Sequence, residues 1–220
     1  GHDAGLAIAA ELGAKGDGPA AAAALRAAGP EAGMDAQRAV GRGTGVVVDG
    51  WVMPALADAI FAAGEQNNVP VIVGSMADEG KTLYAGMDES PREEFIEGLR
   101  NQYGDRADAV VAAYTVELDM STKTAGQAIS ADRNFTWQMR AWARAMGDSN
   151  DVYHYFFSHA PPVFRLYMPE RPDLDFPGGR RGAGAYHSGD LAYAFGNVGL
   201  VGIDWHDRDR ELSDQISQYW

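Results

Sequence analysis

The sequence predicts an α/β fold, a mostly parallel central sheet flanked by helices. Three observations carry this. Val69-Pro70-Val71-Ile72-Val73-Gly74 is a short β-branched run bounded by Pro70 and Gly74. Lacking polar alternation, it has the signature of a fully buried parallel strand. Val152-Tyr153-His154-Tyr155-Phe156-Phe157-Ser158 is rich in aromatics and suits a second central strand. Segments of helical pattern lie before, between and after these runs, the alternation expected of α/β architecture.

The elements follow in order. Residues 3–12 predict a helix closed by Gly13. Asp17-Gly18-Pro19 starts a second, alanine-rich helix that runs to Ala28 and stops at Gly29-Pro30. Residues 41–45 predict a loop, and Val46-Val47-Val48-Asp49-Gly50 a short strand entering a turn. Residues 53–63 predict a helix ended by Gly64. After the buried strand, Ser90-Pro91-Arg92-Glu93 has the form of a capping box opening a helix to Tyr103, with Gly104 beyond it. Helices are predicted over 105–115 and over 122–146, the second carrying Ile129, Phe135, Trp137 and Trp142. A Pro/Gly-rich loop spans 161–184, a length usually tied to function or mobility. Residues 212–220 predict the start of a last helix.

Composition narrows the function. With 46% hydrophobic and 22% charged residues, the 220-residue chain can bury a sizeable core. Its 31 acidic residues against 18 basic give a net charge of −13, which opposes binding to nucleic-acid phosphates or anionic lipid surfaces. Cysteine is absent, so disulfides, thiol catalysis and thiolate metal sites are excluded, although the compartment is not fixed by this. No apolar run approaches a membrane span. The chain begins Gly1-His2-Asp3 and ends Gln218-Tyr219-Trp220 inside a helical pattern, so both ends are expected to be cut.

Two stretches carry candidate chemistry. Ser75-Met76-Ala77-Asp78-Glu79-Gly80 places two carboxylates at the C-terminal end of the buried strand, the edge where α/β sheets collect ligands. Capping of a turn or of the next helix is the plainer reading of both acids. Gly184-Ala185-Tyr186-His187-Ser188-Gly189-Asp190 sets a histidine in a glycine-bounded loop ahead of an aromatic helical turn. Imidazole suits general-base work near neutral pH, against the alternative of an ordinary loop histidine. Among the other histidines, His159 at a strand end is a candidate for lining a pocket. A metal site from His154 and His159 is rejected, because their odd spacing on a strand puts them on opposite faces.

An acid after a strand followed by a later histidine is the chain order of α/β-hydrolases. Val47-Val48-Asp49-Gly50, the run from Asn68 to Asp78-Glu79-Gly80, Asp132-Arg133-Asn134-Phe135, Tyr153-His154-Tyr155-Phe156-Phe157, Tyr186-His187-Ser188-Gly189-Asp190 with Phe195-Gly196, and the closing 212–220 resemble the type B carboxylesterases, the carboxylesterase–cholinesterase family. The resemblance spans nearly the whole chain in order and spacing. It implies that residues 1–220 are the C-terminal part of a single α/β-hydrolase domain, truncated at both ends.

By the same resemblance, Glu79 matches the acid and His187 the histidine of a Ser-His-Glu triad. Asp190 matches the acidic position three residues after that histidine, where it is expected to support it from behind. Asp78 is then a turn-stabilising residue. Met76 stands where the family commonly has Asn. Trp137, Phe157 and His159 are candidate pocket-lining groups, with a place in the core the plainer reading of each. The family's nucleophile sits in a G-E-S-A-G elbow, and no G-x-S-x-G occurs here; Ser75 has its glycine at −1 and Ser188 lacks one at −2, so neither is an elbow serine. The nucleophile and oxyanion hole are therefore expected before residue 1. The implied substrate is a small carboxylic ester, and the implied partner is the N-terminal half of the esterase, in the same chain or a separate one. Nucleic acid, a membrane span, metals and organic cofactors play no part in this expectation. Two alternatives remain at this point: a non-catalytic carboxylesterase-like binding protein, in which the elbow serine would be replaced, and a self-standing interaction module.

Overall fold

The computed structural model describes residues 1–16, 18–41, 45–147, 150–162, 182–200 and 204–220. Most of the predicted loop over 161–184 lies outside these residues, as do Asp17 and the middle of the 41–45 loop. The chain forms two compact units, Gly1–Gln66 and Asn67–Trp220, each taken by itself below.

Among the described residues the first unit holds four helices: α1 (His2–Glu11), α2 (Pro19–Ala27), α3 (Gly29–Val40) and α4 (Ala57–Ala63). Gly13 turns the chain out of α1 in the left-handed region, at φ 72°. The second helix stops before Gly29-Pro30, as predicted, and a further helix starts there at once. Pro30 sits in the first turn of α3, where its missing N–H is no loss, so one helix follows another. α1 packs against α3, and the buried side chains of this unit are small: Ala14, Ala21 and Ala36.

The strand predicted at Val46–Val48 does not form, and its valines are exposed. A strand needs a ladder partner, and this segment has none among the described residues. Asp49 organises the stretch instead: its Oδ1 accepts the amides of Trp51 (2.9 Å), Val52 (2.9 Å) and Met53 (3.0 Å). These bonds, that of Trp51 first, hold the Asp49 carboxyl below the usual range. Bends through residue 55 delay α4 to Ala57, four residues beyond the predicted start.

The second unit is built on a parallel pair, β1 (Val71–Met76) and β2 (Val152–Phe157), in register from Val71 opposite Val152 to Met76 opposite Phe157. β1 starts two residues later than the sequence suggests, because Pro70 has no N–H to give and the ladder opens with Val71 N–H to Asp151 O (3.1 Å). Val73, Ser75 and Met76 are buried, but Ile72 is exposed. The strand is thus not buried throughout: side chains alternate between faces, and among the described residues the sheet has two strands.

Between the strands run α5 (Glu79–Leu83), α6 (Arg92–Tyr103), a 3-10 turn (Gly104–Arg106), α7 (Ala107–Ala113), α8 (Thr115–Met120), α9 (Thr122–Ala131) and α10 (Trp137–Gly147). The predicted capping box fails. Pro91 is the N-cap of α6, with no side-chain cap bond. Ser90 is instead claimed by Thr122, whose hydroxyl accepts from Ser90 N–H (3.1 Å) and shares its one proton between Glu89 Oε1 (2.5 Å) and Ser90 O (2.8 Å). The single helix predicted over 105–115 is α7, with α8 following after a break at Tyr114.

The long predicted helix over 122–146 is present as α9 and α10 joined by a π turn, Asp132–Thr136. Such turns are rare and concentrate at functional sites. α10 packs against both strands, and α9 against α5. Beyond β2 come α11 (Leu191–Ala194) and α12 (Asp207–Ile216). The last helix thus starts five residues before the predicted 212 and ends at Ile216, not at the chain end. The buried Asp209 carboxylate starts it early by accepting His206 N–H (2.8 Å).

Met76, Phe157, Ala185 and Tyr193 form the buried centre of this unit, with Tyr155, Trp205, Leu212 and Ile216 packed on it. Each large side chain so buried contributes about 1.5–3 kcal/mol. Among the described residues, no helix is long and apolar enough to cross a membrane.

Candidate active site

β1 delivers its C-terminal end to the site. Ala77 N–H extends the ladder by one step, to Phe157 O (2.9 Å). The chain then turns, and Glu79, a residue only 2% exposed, opens α5. Its Oε1 accepts the amide of Met76 (2.9 Å), so the carboxylate is fixed in its own turn. That bond is made by a main-chain group, which methionine supplies as well as asparagine. Gly80 lets α5 sit against α9: a Cβ there would overlap the Gln127 carbonyl.

The histidine arrives on a loop zipped to the same turn. Asp78 N–H donates to Ala185 O (2.9 Å), and Ala185 N–H donates to Asp78 Oδ2 (2.8 Å). Asp78 Oδ1 also pairs with Lys81 (2.9 Å). Gly184 is required here twice over: its φ is +68°, and a Cβ would meet the Asp78 carboxylate. Three residues further on, His187 Nδ1 lies 2.6 Å from Glu79 Oε2. Phe135, from the π turn, tilts against the imidazole with ring centroids 5.2 Å apart.

The loop leaves through a tight turn. Gly189 N–H bonds Tyr186 O (2.9 Å), and Ser188 adopts the left-handed conformation at φ +67°, the sole non-glycine to do so among the described residues. Asp190 is the N-cap of α11 and is nearly buried; its Oδ2 accepts the phenol of Tyr155 (2.8 Å). Burial, this bond and the charges of Asp190 and Glu79 push the Tyr155 phenol well above its usual range.

The structure thus brings Glu79 and His187 together, with Asp190 in the turn behind the imidazole. The pocket candidates separate from them. Trp137 is 57% exposed. Phe157 is core, packed on Tyr193 at 5.3 Å between centroids. His159 Nε2 lies 2.6 Å from Asp209 Oδ1, which also accepts the Tyr193 hydroxyl (2.8 Å). A groove of about 1140 Å³ follows β2 to α12 and Trp220; Phe157 and His159 line it, whereas Trp137, Glu79 and His187 do not.

Sequence reasoning missed Phe135 as a neighbour of His187, the clamp that Asp78 makes on Ala185, and Tyr155 as the partner of Asp190. For Asp78 a signal was present, since it adjoins the acid in the same turn. The other two depend on contacts across 52 and 35 residues, with no local mark.

A sequence profile of the carboxylesterase family matches residues 22–220. Among curated proteins, fumonisin B1 esterase of Sphingopyxis macrogoltabida is 26% identical over 187 residues, 81% of this chain and 32% of that protein. Among solved structures, a thermophilic PNB esterase superposes with a TM-score of 0.68 at 18% identity, covering 99% of this chain and 43% of its own. A carboxylesterase of Geobacillus stearothermophilus gives 0.68 at 21% identity, with 98% and 43% covered. This chain therefore spans about a third to under half the length of these relatives. The parallel pair with its helices is part of an α/β-hydrolase fold, and the chain belongs to the carboxylesterase family.

Proposed function

We propose that this chain supplies the acid and the base of a serine-type carboxylic ester hydrolase, with Glu79 and His187 as two members of a Ser-His-Glu triad. The nucleophilic serine and the oxyanion hole come from sequence outside these 220 residues, and residues 1–220 serve as the C-terminal part of one α/β-hydrolase domain. The observation that carries the reading is the 2.6 Å contact of Glu79 Oε2 with His187 Nδ1, made by a carboxylate whose other oxygen is already held by Met76 N–H.

The chemistry follows from that geometry. With Nδ1–H donated to Glu79, the neutral imidazole keeps its lone pair on Nε2, the tautomer a general base needs. The ring is partly exposed, its side chain 39% accessible, so Nε2 can meet a hydroxyl brought from outside the chain. Nε2 takes the serine proton as the oxygen attacks the ester carbonyl. The buried Glu79 charge then stabilises the imidazolium. Collapse of the tetrahedral adduct breaks the ester C–O bond, and the imidazolium returns the proton to the leaving alcohol. Water attacks the acyl-enzyme with His187 again as base, releasing the acid and the serine.

The test is covalent trapping in the complete protein with an activated phosphonate ester, which phosphonylates a serine hydroxyl. The expected label falls on a serine outside these residues, is lost in His187→Ala, and never forms on the isolated 220-residue chain, which is also expected to show no ester turnover. Labelling of Ser75 or Ser188, or equal labelling without His187, overturns the reading and favours a non-catalytic binding role for this pair.

A further inference from the structure

We propose that Tyr155 is a positioning residue for His187, acting through Asp190; this rests on the triad reading above. Tyr155 lies on β2 opposite Gly74 of β1. A Cβ at Gly74 would fall inside the Tyr155 ring, so the bare glycine lets the ring lie across β1. Trp220 meets that ring edge-on, with centroids 6.0 Å apart. So held, the phenol donates to Asp190 Oδ2 at 2.8 Å. The nearly buried carboxylate gains the partner that burial demands.

What this fixes is the far end of the histidine turn. Ser188, directly after His187, sits at φ +67°, unfavourable for a residue with a side chain and kept only where the surroundings over-determine it. Upstream, the Asp78–Ala185 pair pins the loop. Downstream, Asp190 pins it twice: its carbonyl accepts from Tyr193 N–H (3.0 Å) and Ala194 N–H (2.9 Å) to start α11, and its carboxylate takes the Tyr155 hydroxyl. α11 has only four residues and cannot anchor the turn alone. Tyr155 connects it to the sheet whose β1 ends at Met76, the residue that holds the Glu79 carboxylate, so the base and its acid share one rigid support. Held as a neutral phenol by burial and by the Asp190 and Glu79 charges, Tyr155 remains a donor across the range in which the imidazole works.

The experiment is steady-state hydrolysis of an activated aryl ester by the complete protein. Tyr155→Phe keeps the ring over Gly74 and removes the hydroxyl; kcat is expected to fall about tenfold with KM little changed, since a displacement near 1 Å costs about 100-fold. Asp190→Ala should fall by the same factor, and the double variant no further. Asp190→Asn retains an oxygen for the Tyr155 hydroxyl and should recover most of the loss. Multiplying losses in the double variant, or a lowered melting temperature with wild-type kcat in Tyr155→Phe, overturn the inference. If Tyr155→Phe does not fold, the Asp190 pair decides: Asn well above Ala supports the hydrogen bond, and equal losses overturn it. His187→Ala separates the two levels. Wild-type turnover there removes the triad reading itself, whereas an inactive His187→Ala beside a fully active Tyr155→Phe removes only the positioning role.

Discussion

Asp78 holds Ala185 at two points, amide to carbonyl at 2.9 Å and carboxylate to amide at 2.8 Å. The neighbour of Glu79 in sequence thereby places the loop that carries His187. Neither contact touches the imidazole, yet both fix the distance between Glu79 and His187, residues 108 apart in the chain.

Glu79 and His187 should act as one unit in the complete protein. Replacing His187 by Ala removes the proposed base, while Glu79→Gln keeps the shape and removes the charge proposed to orient it. His187→Ala is expected to cost about 10⁴-fold or more in kcat, Glu79→Gln less, and the double variant hardly more than His187→Ala. KM should move little. Rates on an activated aryl ester at one pH decide it: small losses that multiply would break the unit.

Gly184→Ala should damage catalysis more than stability. The new Cβ would lie 2.6 Å from Asp78 Cγ, and a φ of +68° disfavours any side chain. The loop must lift from Asp78, carrying His187 with it. A kcat loss of about tenfold or more is expected while the protein stays folded by circular dichroism. Unchanged rates would mean that the Asp78 clamp does not place His187.

Gly80→Ala acts on packing. Its Cβ would stand 2.7 Å from the Gln127 carbonyl carbon, main chain that cannot swing aside. Forcing α5 off α9 should cost about 1–3 kcal/mol, read as a lower urea midpoint at unchanged m-value. A midpoint equal to the wild type would show that the two helices separate freely.

Glu89 gives the unit an acid-sensitive contact. The Thr122 hydroxyl (2.5 Å) and amide (2.8 Å) hold its carboxyl below the ordinary 4.5. Because the folded carboxylate binds its proton less tightly than the unfolded one, the unfolded state takes up more protons as pH falls. The stabilisation is therefore present above 4.5 and is lost on acidification through the lower folded value. Melting of Glu89→Gln against wild type should show a gap at about pH 7 that narrows at about pH 3. A constant gap would show that the charge is not what Thr122 reads.

Much of this arrangement was determined by the sequence. The parallel pair, the helix ends at Gly13, Gly64 and Gly104, and the turn that carries Glu79 follow from local chemistry: β-branched runs, left-handed glycines, a carboxylate within reach of its own turn. The histidine loop was equally legible as a motif.

What the tertiary structure alone decided were the competitions. Ser90 has a cap's sequence, yet Thr122, 32 residues away, takes its main-chain groups. Val46–Val48 has a strand's composition but no ladder partner among the described residues, so Asp49 gathers the neighbouring amides instead. Phe157 packs on Tyr193 and His159 pairs with Asp209, away from the Glu79–His187 contact. A π turn inside a predicted continuous helix presents Phe135 to His187. In each case a residue could satisfy its polar or apolar surface in more than one way. Neighbours in sequence fix the choices open to it; residues brought close by folding settle which one is taken.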